Sequence, residues 1–261
     1  MISILTPTYN RQHTLKRLYD SLCSQDCMRF EWVIVDDGSI DESKNIINTF
    51  IAENRVQIRY VYQENRGKPS AINTGVPLCE YDYVFIVDSD DALTDDAVSS
   101  LITAINDAEK MQLPFSGVGF RKATFDGPIL GVAPDFNEPI LYLSATEAGG
   151  IFKADLAYCF KKESLLRHPF PFYKNERFVP ELFIWNKITD KGKIRFNANK
   201  VIYIAEFLED GLTRNFKKQL KKYPHSFRVY YADQFCREKK IIKKLKMLIR
   251  FFQCLLYEKI K

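Results

Sequence analysis

The stretch FIVDSDDAL, residues 85–93, places three carboxylates within four positions, directly after an apolar run. Asp88, Asp90 and Asp91 would repel one another if all three were ionised without a counter-charge nearby. They are therefore either turn residues in contact with water or ligands of a cation. Mg²⁺ and Mn²⁺ are bound in proteins by one or two carboxylates together with substrate phosphates. We expect a site for one of these two ions, and a structural turn is the less favoured alternative.

Two further polar clusters follow apolar runs in the same way. TPTYNR occupies residues 6–11 and VDDGS occupies residues 35–39. In an open parallel sheet, ligands bind beyond the carboxyl ends of the strands, so we predict that the three clusters converge on one site. Asp36 and Asp37 precede Gly38, and Asp-Gly is also common turn chemistry, which remains the alternative for this pair.

Strand-like and helix-like segments alternate through the first half of the chain. The predicted strands are ISILTPTY, FEWVIVDD, VQIRYVYQ and YDYVFIVD. The helices between them include one that starts at a capping box, Ser39 to Glu42, and the last strand is followed by a helix with Thr94 as its N-cap. This alternation predicts an α/β protein with a parallel, doubly wound sheet.

The second half of the chain has a less regular pattern. We expect a helix near LAYCFKKESLL, a second helix at VPELFIWNKI and a strand at KVIYIAEFL. The predicted organisation is a domain over residues 1–213, with halves 1–105 and 106–213, followed by a basic helical segment over residues 214–261.

Composition and missing motifs exclude several classes of protein. A chain with 46% hydrophobic and 27% charged residues fits a globular domain rather than a disordered one. No GxGxxG follows the first strand and no GxxxxGK[ST] is present, which disfavours a dinucleotide fold and excludes a P-loop nucleotidase. A phosphoacceptor receiver domain would carry its acids after the first strand, in a chain of about half this length.

The sequence predicts a reduced, cytosolic environment. The six cysteines are scattered without a CxxC pair, which is typical of cytosolic proteins. MISILTPTYN has no basic n-region, and no apolar stretch reaches about 18 residues. We therefore expect a soluble or peripheral protein.

Four ordered motifs carry a family resemblance. SILTPTYNR, EWVIVDDGSIDES, ENRGKPSAINTGV and YVFIVDSDDAL, in that order and spacing, closely resemble the family 2 glycosyltransferases with the GT-A fold. The resemblance covers about the first 105 residues. It continues more weakly through FVPELFIWNKI and AEFLEDGLTRN, which look like the acceptor-side half of bacterial members.

The resemblance implies both a fold and a reaction. The fold would be a GT-A (Rossmann-like) α/β fold with a mostly parallel central sheet and a C-terminal helical appendage. The reaction would be metal-dependent and inverting: a sugar passes from a nucleotide diphosphate, commonly UDP, to an acceptor hydroxyl in bacterial polysaccharide or glycolipid synthesis.

The resemblance also assigns residues. The nucleotide-sugar would be bound by Thr6, Pro7, Tyr9, Asp37, Lys68, Asn73, Asp88, Ser89 and Asp91. Within that set, Asp37 would bind the base, commonly uracil. DSD matches the DxD signature, in which Asp90 ligates Mn²⁺ or Mg²⁺, and Asp88 lies near the ribose or sugar and is assigned to the metal as well.

The catalytic base is expected on the acceptor side, where the family uses a carboxylate in an ED-like motif. VPELFIW supplies Glu181, but Leu182 stands in place of the second acid. Glu176 is the nearest alternative base, and Glu209 or Asp210 a more distant one. The structural alternative for Glu181 is an acid favoured by the helix dipole in a first turn.

The C-terminal segment IIKKLKMLIRFFQCLLYEKI, residues 241–260, is amphipathic. One helical face carries Ile242, Leu245, Ile249, Phe252 and Leu256, and the other carries Lys243, Lys246, Arg250 and Gln253. The pattern predicts either an interfacial helix on anionic lipid or a helix packed on the catalytic domain with solvated lysines, and packing is slightly favoured. A nucleic-acid partner is not expected, because no recognised motif accompanies the charge.

The expected partners are a nucleotide-sugar donor, a glycan or lipid-linked glycan acceptor, and an anionic membrane surface if the last helix is interfacial. In that case the protein would be peripheral on the inner face of the membrane. One alternative function is a catalytically inactive nucleotide-sugar-binding or scaffold protein of a glycan assembly complex. A nucleotidyltransferase is disfavoured, because TPTYNRQHT is not a Gly-rich basic loop.

Overall fold

The computed structural model of the protein describes residues 1–132, 139–206 and 216–260. In these residues nine strands form one sheet. The strands are β1 (Ile2–Thr8), β2 (Phe30–Asp36), β3 (Ile58–Tyr62), β4 (Tyr83–Ile86), β5 (Ala92–Leu93), β6 (Phe115–Thr124), β7 (Ile140–Leu143), β8 (Ala157–Lys161) and β9 (Lys193–Ala205). The helices of the same residues are α1 (Leu15–Cys23), α2 (Ser43–Glu53), α3 (Lys68–Leu78), α4 (Ala97–Lys110), α5 (Ala145–Phe152), α6 (Lys162–Arg167), α7 (Glu181–Thr189), α8 (Phe216–Lys222), α9 (Pro224–Arg237) and α10 (Ile241–Ile260).

The sheet joins a parallel part to a mixed part. Its strand order is β3-β2-β1-β4-β8-β6-β9-β5, and β7 pairs with β9. The first four strands in this order are parallel, as the βαβα pattern predicts. β8 is antiparallel to both β4 and β6, whereas β6 and β9 are parallel. The carboxyl ends of β1, β2 and β4 therefore lie side by side at one edge of the sheet.

Helices cover both faces of the parallel part of the sheet. Alternate residues of a strand point to opposite faces, so each strand contributes side chains to both helix layers. On one face Trp32 of β2 packs with Tyr19 of α1 and Phe50 of α2. The ring centroids of Tyr19 and Phe50 are 4.0 Å apart, and the two rings are stacked. On the other face Val33 and neighbouring apolar side chains pack against α3. Burial on two faces explains why β1, β2 and β4 are almost continuously apolar.

Three local predictions were wrong. The N-cap of α2 is Glu42, whose side chain makes no capping hydrogen bond, so the expected capping box at Ser39 is absent. α4 has Asp96 as its N-cap in place of Thr94, because the Thr94 backbone N–H still donates to the Ile202 carbonyl of β9. The first part of LAYCFKKESLL is strand β8, and only its second part is a helix, α6. Insertion between β4 and β6 buries β8 on both faces, and this placement overrides its helix-like pattern.

The C-terminal segment is helical in its described part, as predicted. α8, α9 and α10 share a small core of Leu220, Tyr223, Phe227, Tyr231 and Cys254. No helix of the described ranges is long and apolar enough to span a bilayer. The predicted boundary between residues 213 and 214 lies outside the described residues and stays a prediction.

Gly67, the residue before α3, allows a close approach between two parts of the chain. Its φ is +94°, and a Cβ added there would lie 1.9 Å from the backbone oxygen of Arg177. We expect Gly67→Ala to lower the free energy of unfolding by about 1–3 kcal/mol, because strain and overlap act together. Urea denaturation measures the change.

The matched control is Gly149→Ala in α5. Apart from its chain neighbours and the backbone of its own helix, no described atom lies within 4 Å of the added Cβ, and helix propensity predicts a gain in stability of up to about 1 kcal/mol. If Gly67→Ala were as stable as the wild type, the described approach of Arg177 to Gly67 would be wrong.

Candidate functional site

The predicted acid cluster is formed at the carboxyl edge of the sheet, just after β4. One carboxylate oxygen from each of Asp88, Asp90 and Asp91 lies within 4.8 Å of the others. These three acids do not have equivalent surroundings. Asp88 contacts Lys68, Asp90 has the Arg11 guanidinium 3.8 Å away, and Asp91 points into the protein.

Asp91 is held by two hydrogen bonds from the end of β9. The Tyr203 hydroxyl donates to its Oδ2 at 2.6 Å, and the Glu206 backbone N–H donates to its Oδ1 at 2.7 Å. The Tyr203 oxygen also accepts the Asp88 backbone N–H at 3.0 Å. Burial, and then the nearby charge of Asp88, raises the pKa of Asp91 to about 7. Asp91 thus ties the acid loop to β9, while Asp88 and Asp90 remain the partly exposed pair.

This pair of carboxylates fits a hard divalent cation. Mg²⁺ and Mn²⁺ take oxygen ligands, and one or two carboxylates suffice when phosphates complete the coordination. Burial, and then the charge of Asp88, raises the pKa of Asp90. The two neighbouring acids therefore gain from a positive charge placed between them. Asp88 and Asp90 are the residues that could hold Mn²⁺ or Mg²⁺.

Lys68, the first residue of α3, connects the acid cluster to Glu181, the first residue of α7. The Lys68 Nζ lies 2.5 Å from Asp88 Oδ1 and 2.6 Å from Glu181 Oε1. Burial lowers the pKa of Lys68, but the charges of Asp88 and Glu181 outweigh burial and the pKa is raised well above its usual value. One ammonium group therefore brings together the predicted metal ligand and the predicted base.

The pKa values of the two carboxylates beside Lys68 are shifted in opposite directions. Burial raises the pKa of Glu181, and the charge of Lys68 only partly opposes that rise. Burial also raises the pKa of Asp88, but the charges of Lys68 and then Lys122 outweigh the effect of burial, so the pKa of Asp88 is lowered. Asp88 is thereby kept ionised, whereas Glu181 gains affinity for a proton.

Asp37, at the end of β2, fixes the loop that leads to Lys68. Its Oδ1 accepts the Arg66 backbone N–H at 2.8 Å and the Gln63 side-chain amide at 2.7 Å. Its Oδ2 accepts the Gly67 backbone N–H at 2.7 Å. The carboxylate is thus bound to the segment before α3 and places the first turn of that helix.

The other predicted donor-binding residues divide into two groups. Thr6 is fully buried, and its Oγ1 accepts the Trp32 Nε1–H at 2.9 Å. The Asn73 amide exchanges two hydrogen bonds with the backbone of Phe170, at 2.8 and 2.9 Å. These two side chains are turned into the protein and do not join the acid cluster. Tyr9 is exposed at the tip of β1, after the buried Pro7.

Ser89 and the alternative bases have structural contacts. The buried Ser89 accepts the Thr14 hydroxyl through its backbone carbonyl, at 2.9 Å. Glu176 accepts the backbone N–H groups of His225 and Ser226 at 2.9 and 2.7 Å, so it caps the start of α9. Glu209 and Asp210 lie outside the described residues. Among the candidate bases that the structure describes, Glu181 is the one beside the acid cluster.

Sequence reasoning missed three residues of this site. Lys122 on β6 is buried, with its Nζ 2.7 Å from Asp155 Oδ2 and 4.0 Å from the Tyr203 ring centroid. With Lys68, Asp88 and Glu181 these residues line one cavity, which Ile86, Leu156, Tyr158 and Trp185 complete. A signal was available for Lys122. It occurs in the apolar run GVGFRKATF, and a lysine in a buried strand needs a partner.

Tyr203→Phe tests the structural role of Asp91. The variant removes a hydrogen bond to a buried carboxylate and leaves the Asp88 N–H without its acceptor. We expect the free energy of unfolding to fall by about 1.5–3 kcal/mol. Because the acid loop loses its anchor, the Mn²⁺ affinity measured by calorimetry should also fall.

Tyr83→Phe is the matched control. The Tyr83 hydroxyl donates to Glu109 on α4 at 2.8 Å, away from the site, so this variant should lose stability without changing Mn²⁺ affinity. Unchanged Mn²⁺ affinity in Tyr203→Phe would show that the anchor does not matter for the cation.

The chain resembles several solved structures in fold. Staphylococcus aureus TarS 1-349 in complex with UDP-GlcNAc superposes with a TM-score of 0.71 and 18% identity, over 97% of this chain and 72% of that chain. The mannosyltransferase PcManGT from Pyrobaculum calidifontis, in complex with GDP-Man and Mn²⁺, gives a TM-score of 0.63 and 18% identity, over 98% of this chain and 73% of that one. These likenesses confirm the predicted GT-A fold.

Sequence comparisons point to the same family. The glycosyltransferase GlyA of Streptococcus pneumoniae serotype 4 (strain ATCC BAA-334 / TIGR4) is 38% identical over 104 residues, 40% of this chain and 15% of that protein. The uncharacterized glycosyltransferase EpsJ of Bacillus subtilis (strain 168) is 34% identical over 126 residues, 48% of this chain and 36% of that protein. The match thus spans well under two thirds of the length of either relative. The family model described as "Glycosyl transferase family 2" matches residues 3–137, about half of the chain, and the protein belongs to this family of glycosyltransferases.

Proposed function

We propose that the protein is a metal-dependent, inverting glycosyltransferase that moves a sugar from a nucleotide diphosphate, most simply UDP, to an acceptor hydroxyl. The observation that carries the proposal is the pairing of Asp88 with Glu181 through Lys68 at the edge of the sheet. Asp88, the proposed ligand of the cation, and Glu181, the proposed proton acceptor, line the same cavity. TarS, solved with UDP-GlcNAc, supports a uridine nucleotide, and PcManGT, solved with GDP-Man and Mn²⁺, supports the metal.

Asp88 and Asp90 would hold Mn²⁺ or Mg²⁺ against the diphosphate of the donor. When bound there, such an ion would supply positive charge to offset the negative charge of the leaving diphosphate, an effect worth several kcal/mol. Asp91 has a different part in this proposal. It keeps the loop that carries both ligands attached to β9, and its oxygens are already used by Tyr203 and Glu206.

Glu181 would accept the proton of the attacking acceptor hydroxyl. General-base catalysis of this kind contributes roughly 10²- to 10⁴-fold in rate. The raised pKa of Glu181 increases its affinity for that proton, while the adjacent Lys68 stabilises the ionised form that must be present first. Inversion follows if the acceptor approaches the anomeric carbon from the face opposite the diphosphate.

Donor binding requires the Lys68 side chain to move. The cavity between the ion-paired groups has a volume of about 20 Å³, enough for about one water molecule. A sugar cannot occupy it while Lys68 bridges Asp88 and Glu181. The diphosphate would offer Lys68 another anion, and a bound cation would pair with Asp88. Glu181 would then lose its ammonium partner, which raises its affinity for a proton. Lys122 and Asp155 would then face the transferred sugar.

The proposed acceptor is a glycan or a lipid-linked glycan in bacterial polysaccharide or glycolipid synthesis. This class is consistent with the bacterial glycosyltransferases to which the chain is similar. The proposed location is cytoplasmic, peripheral on the inner face of the membrane, where lipid-linked acceptors are accessible.

A catalytically inactive nucleotide-sugar-binding or scaffold protein is the second candidate. The observation that favours it is Leu182, which leaves Glu181 without the second acid of the family motif. Hydrolysis of UDP-sugars in the presence of Mn²⁺ separates the two functions, because an active enzyme transfers some sugar to water even without an acceptor. Binding of donor with no release of UDP would establish the scaffold.

Two substitutions test the assigned roles. Asp90→Asn should weaken Mn²⁺-dependent donor binding and abolish turnover, because it removes a charged ligand. Glu181→Gln should retain binding of the donor and reduce turnover by about 10²- to 10⁴-fold, because it removes the proton acceptor. Calorimetry with UDP and Mn²⁺ measures binding, and release of UDP from a panel of UDP-sugars measures turnover.

Glu176→Gln is the control for Glu181→Gln. Glu176 caps α9, so its loss should lower stability and spare turnover. Full activity in both Asp90→Asn and Glu181→Gln would reject the assignment of metal ligand and base.

A further inference from the structure

α10 turns an apolar row toward solvent. Seven side chains of this helix each have more than half of their surface exposed: Ile241, Ile242, Leu245, Ile249, Phe252, Leu256 and Ile260. At 3.6 residues per turn their positions fall within an arc of about 100°. A water-exposed helix ordinarily carries polar residues on such a face. The apolar face predicted from the sequence is therefore the outer face of the helix.

The opposite face of α10 fixes this orientation. Cys254 is fully buried, and Met247, Phe251 and Tyr257 pack around it against α8 and α9. The Arg228 guanidinium of α9 lies 2.9 Å from the Glu258 carboxylate of α10. Rotating the helix to bury its apolar row would break this ion pair and expose Cys254. The helix therefore packs on α8 and α9 through the face that carries Cys254, and its apolar row stays on the outside.

The surroundings of the apolar row are strongly basic. Residues 216–260 contain 13 lysines and arginines and 3 aspartates and glutamates. Lys246 and Lys259 are exposed at the two edges of the row. α8, with Lys217, Lys218, Lys221 and Lys222, lies beside the same helix, because the Lys221 Nζ is 5.7 Å from the Tyr257 ring centroid.

We propose that α10 binds the surface of an anionic bilayer, with its apolar row at the boundary between headgroups and acyl chains. For a helix with an apolar face flanked by lysines, burial of apolar surface and attraction to the negative surface potential both strengthen binding to the bilayer. A second copy of this chain fits the row poorly. A symmetric contact through α10 would place two basic surfaces against each other, and like charges repel.

Vesicle binding by the full chain tests the proposal, and it requires neither donor nor transfer, so its outcome is independent of the proposed reaction. The probe is sedimentation with vesicles of 30% POPG and 70% POPC, compared with vesicles of POPC alone. We expect binding to the anionic vesicles that weakens as salt is added. Ile249→Glu with Phe252→Glu should lower the partition coefficient by more than about tenfold.

Two matched variants separate the apolar contribution from charge and from surface hydrophobicity. Ile51→Glu with Met111→Glu makes the same change in charge at exposed apolar positions elsewhere and should retain most of the binding. Lys246→Gln with Lys259→Gln keeps the apolar row and should lower the partition coefficient by about fivefold per lysine on anionic vesicles.

Several results would overturn the proposal. The wild type could fail to sediment with anionic vesicles, bind POPC equally well, or bind as strongly with Glu at positions 249 and 252. Light scattering after gel filtration tests whether a second copy of the chain covers the apolar row instead. A wild-type dimer that becomes a monomer in Ile249→Glu with Phe252→Glu would show that a second copy covers the row.

Discussion

The ion pair of Lys68 with both Asp88 and Glu181 is the constraint on which the site depends. Three parallel strands end at one edge, two of them, β2 and β4, place acidic side chains there, and unpaired carboxylates repel. Lys68 comes from α3, which lies on the parallel part of the sheet, whereas Glu181 comes from α7 in the second half of the chain. A single ammonium thus joins the two halves and lowers the repulsion among their acids. A cation held by Asp88 and Asp90, as proposed, would carry the same sign as Lys68 and would offset the repulsion between these two acids.

The acids of the site have separate functions that their sequence positions do not reveal. Asp37 has its oxygens engaged by the loop of residues 63–67 and thereby places the first turn of α3. Asp91 is engaged by Tyr203 and Glu206 and holds the loop after β4. Two buried carboxylates therefore serve as anchors, and Asp88 and Asp90 keep partly exposed oxygens. Burying these two carboxylates costs less free energy because hydrogen bonds satisfy their oxygens.

The sequence was sufficient to predict the parallel part of the fold and the convergence of its motifs. Apolar runs of strand length identify β1, β2 and β4, and parallel pairing alone puts their carboxyl ends together. The antiparallel insertion of β8 was not predictable, because AYCFK has no alternation and its burial arises from strands distant in sequence. Tyr203 was missed for the same reason: its role depends on β9 lying beside β6 and β5. The amphipathic pattern of α10 identified an apolar face but not its direction, since the opposite face also carries apolar residues that pack on α9.

The helix that carries Glu181 is held from two sides. Its Phe183, Ile184 and Ile188 pack toward the sheet, in the same core as β1 and α3. On its other side the buried Asn186 amide donates to Gln234 of α9 at 2.8 Å and accepts the Thr146 hydroxyl of α5 at 2.9 Å. Buried amides tolerate little rotation, because a displaced group loses its partners without gaining water. The orientation of α7, and with it the distance from Glu181 to Lys68, thus depends on the C-terminal helices as well as on the sheet. The basic appendage is consequently part of what positions the proposed base.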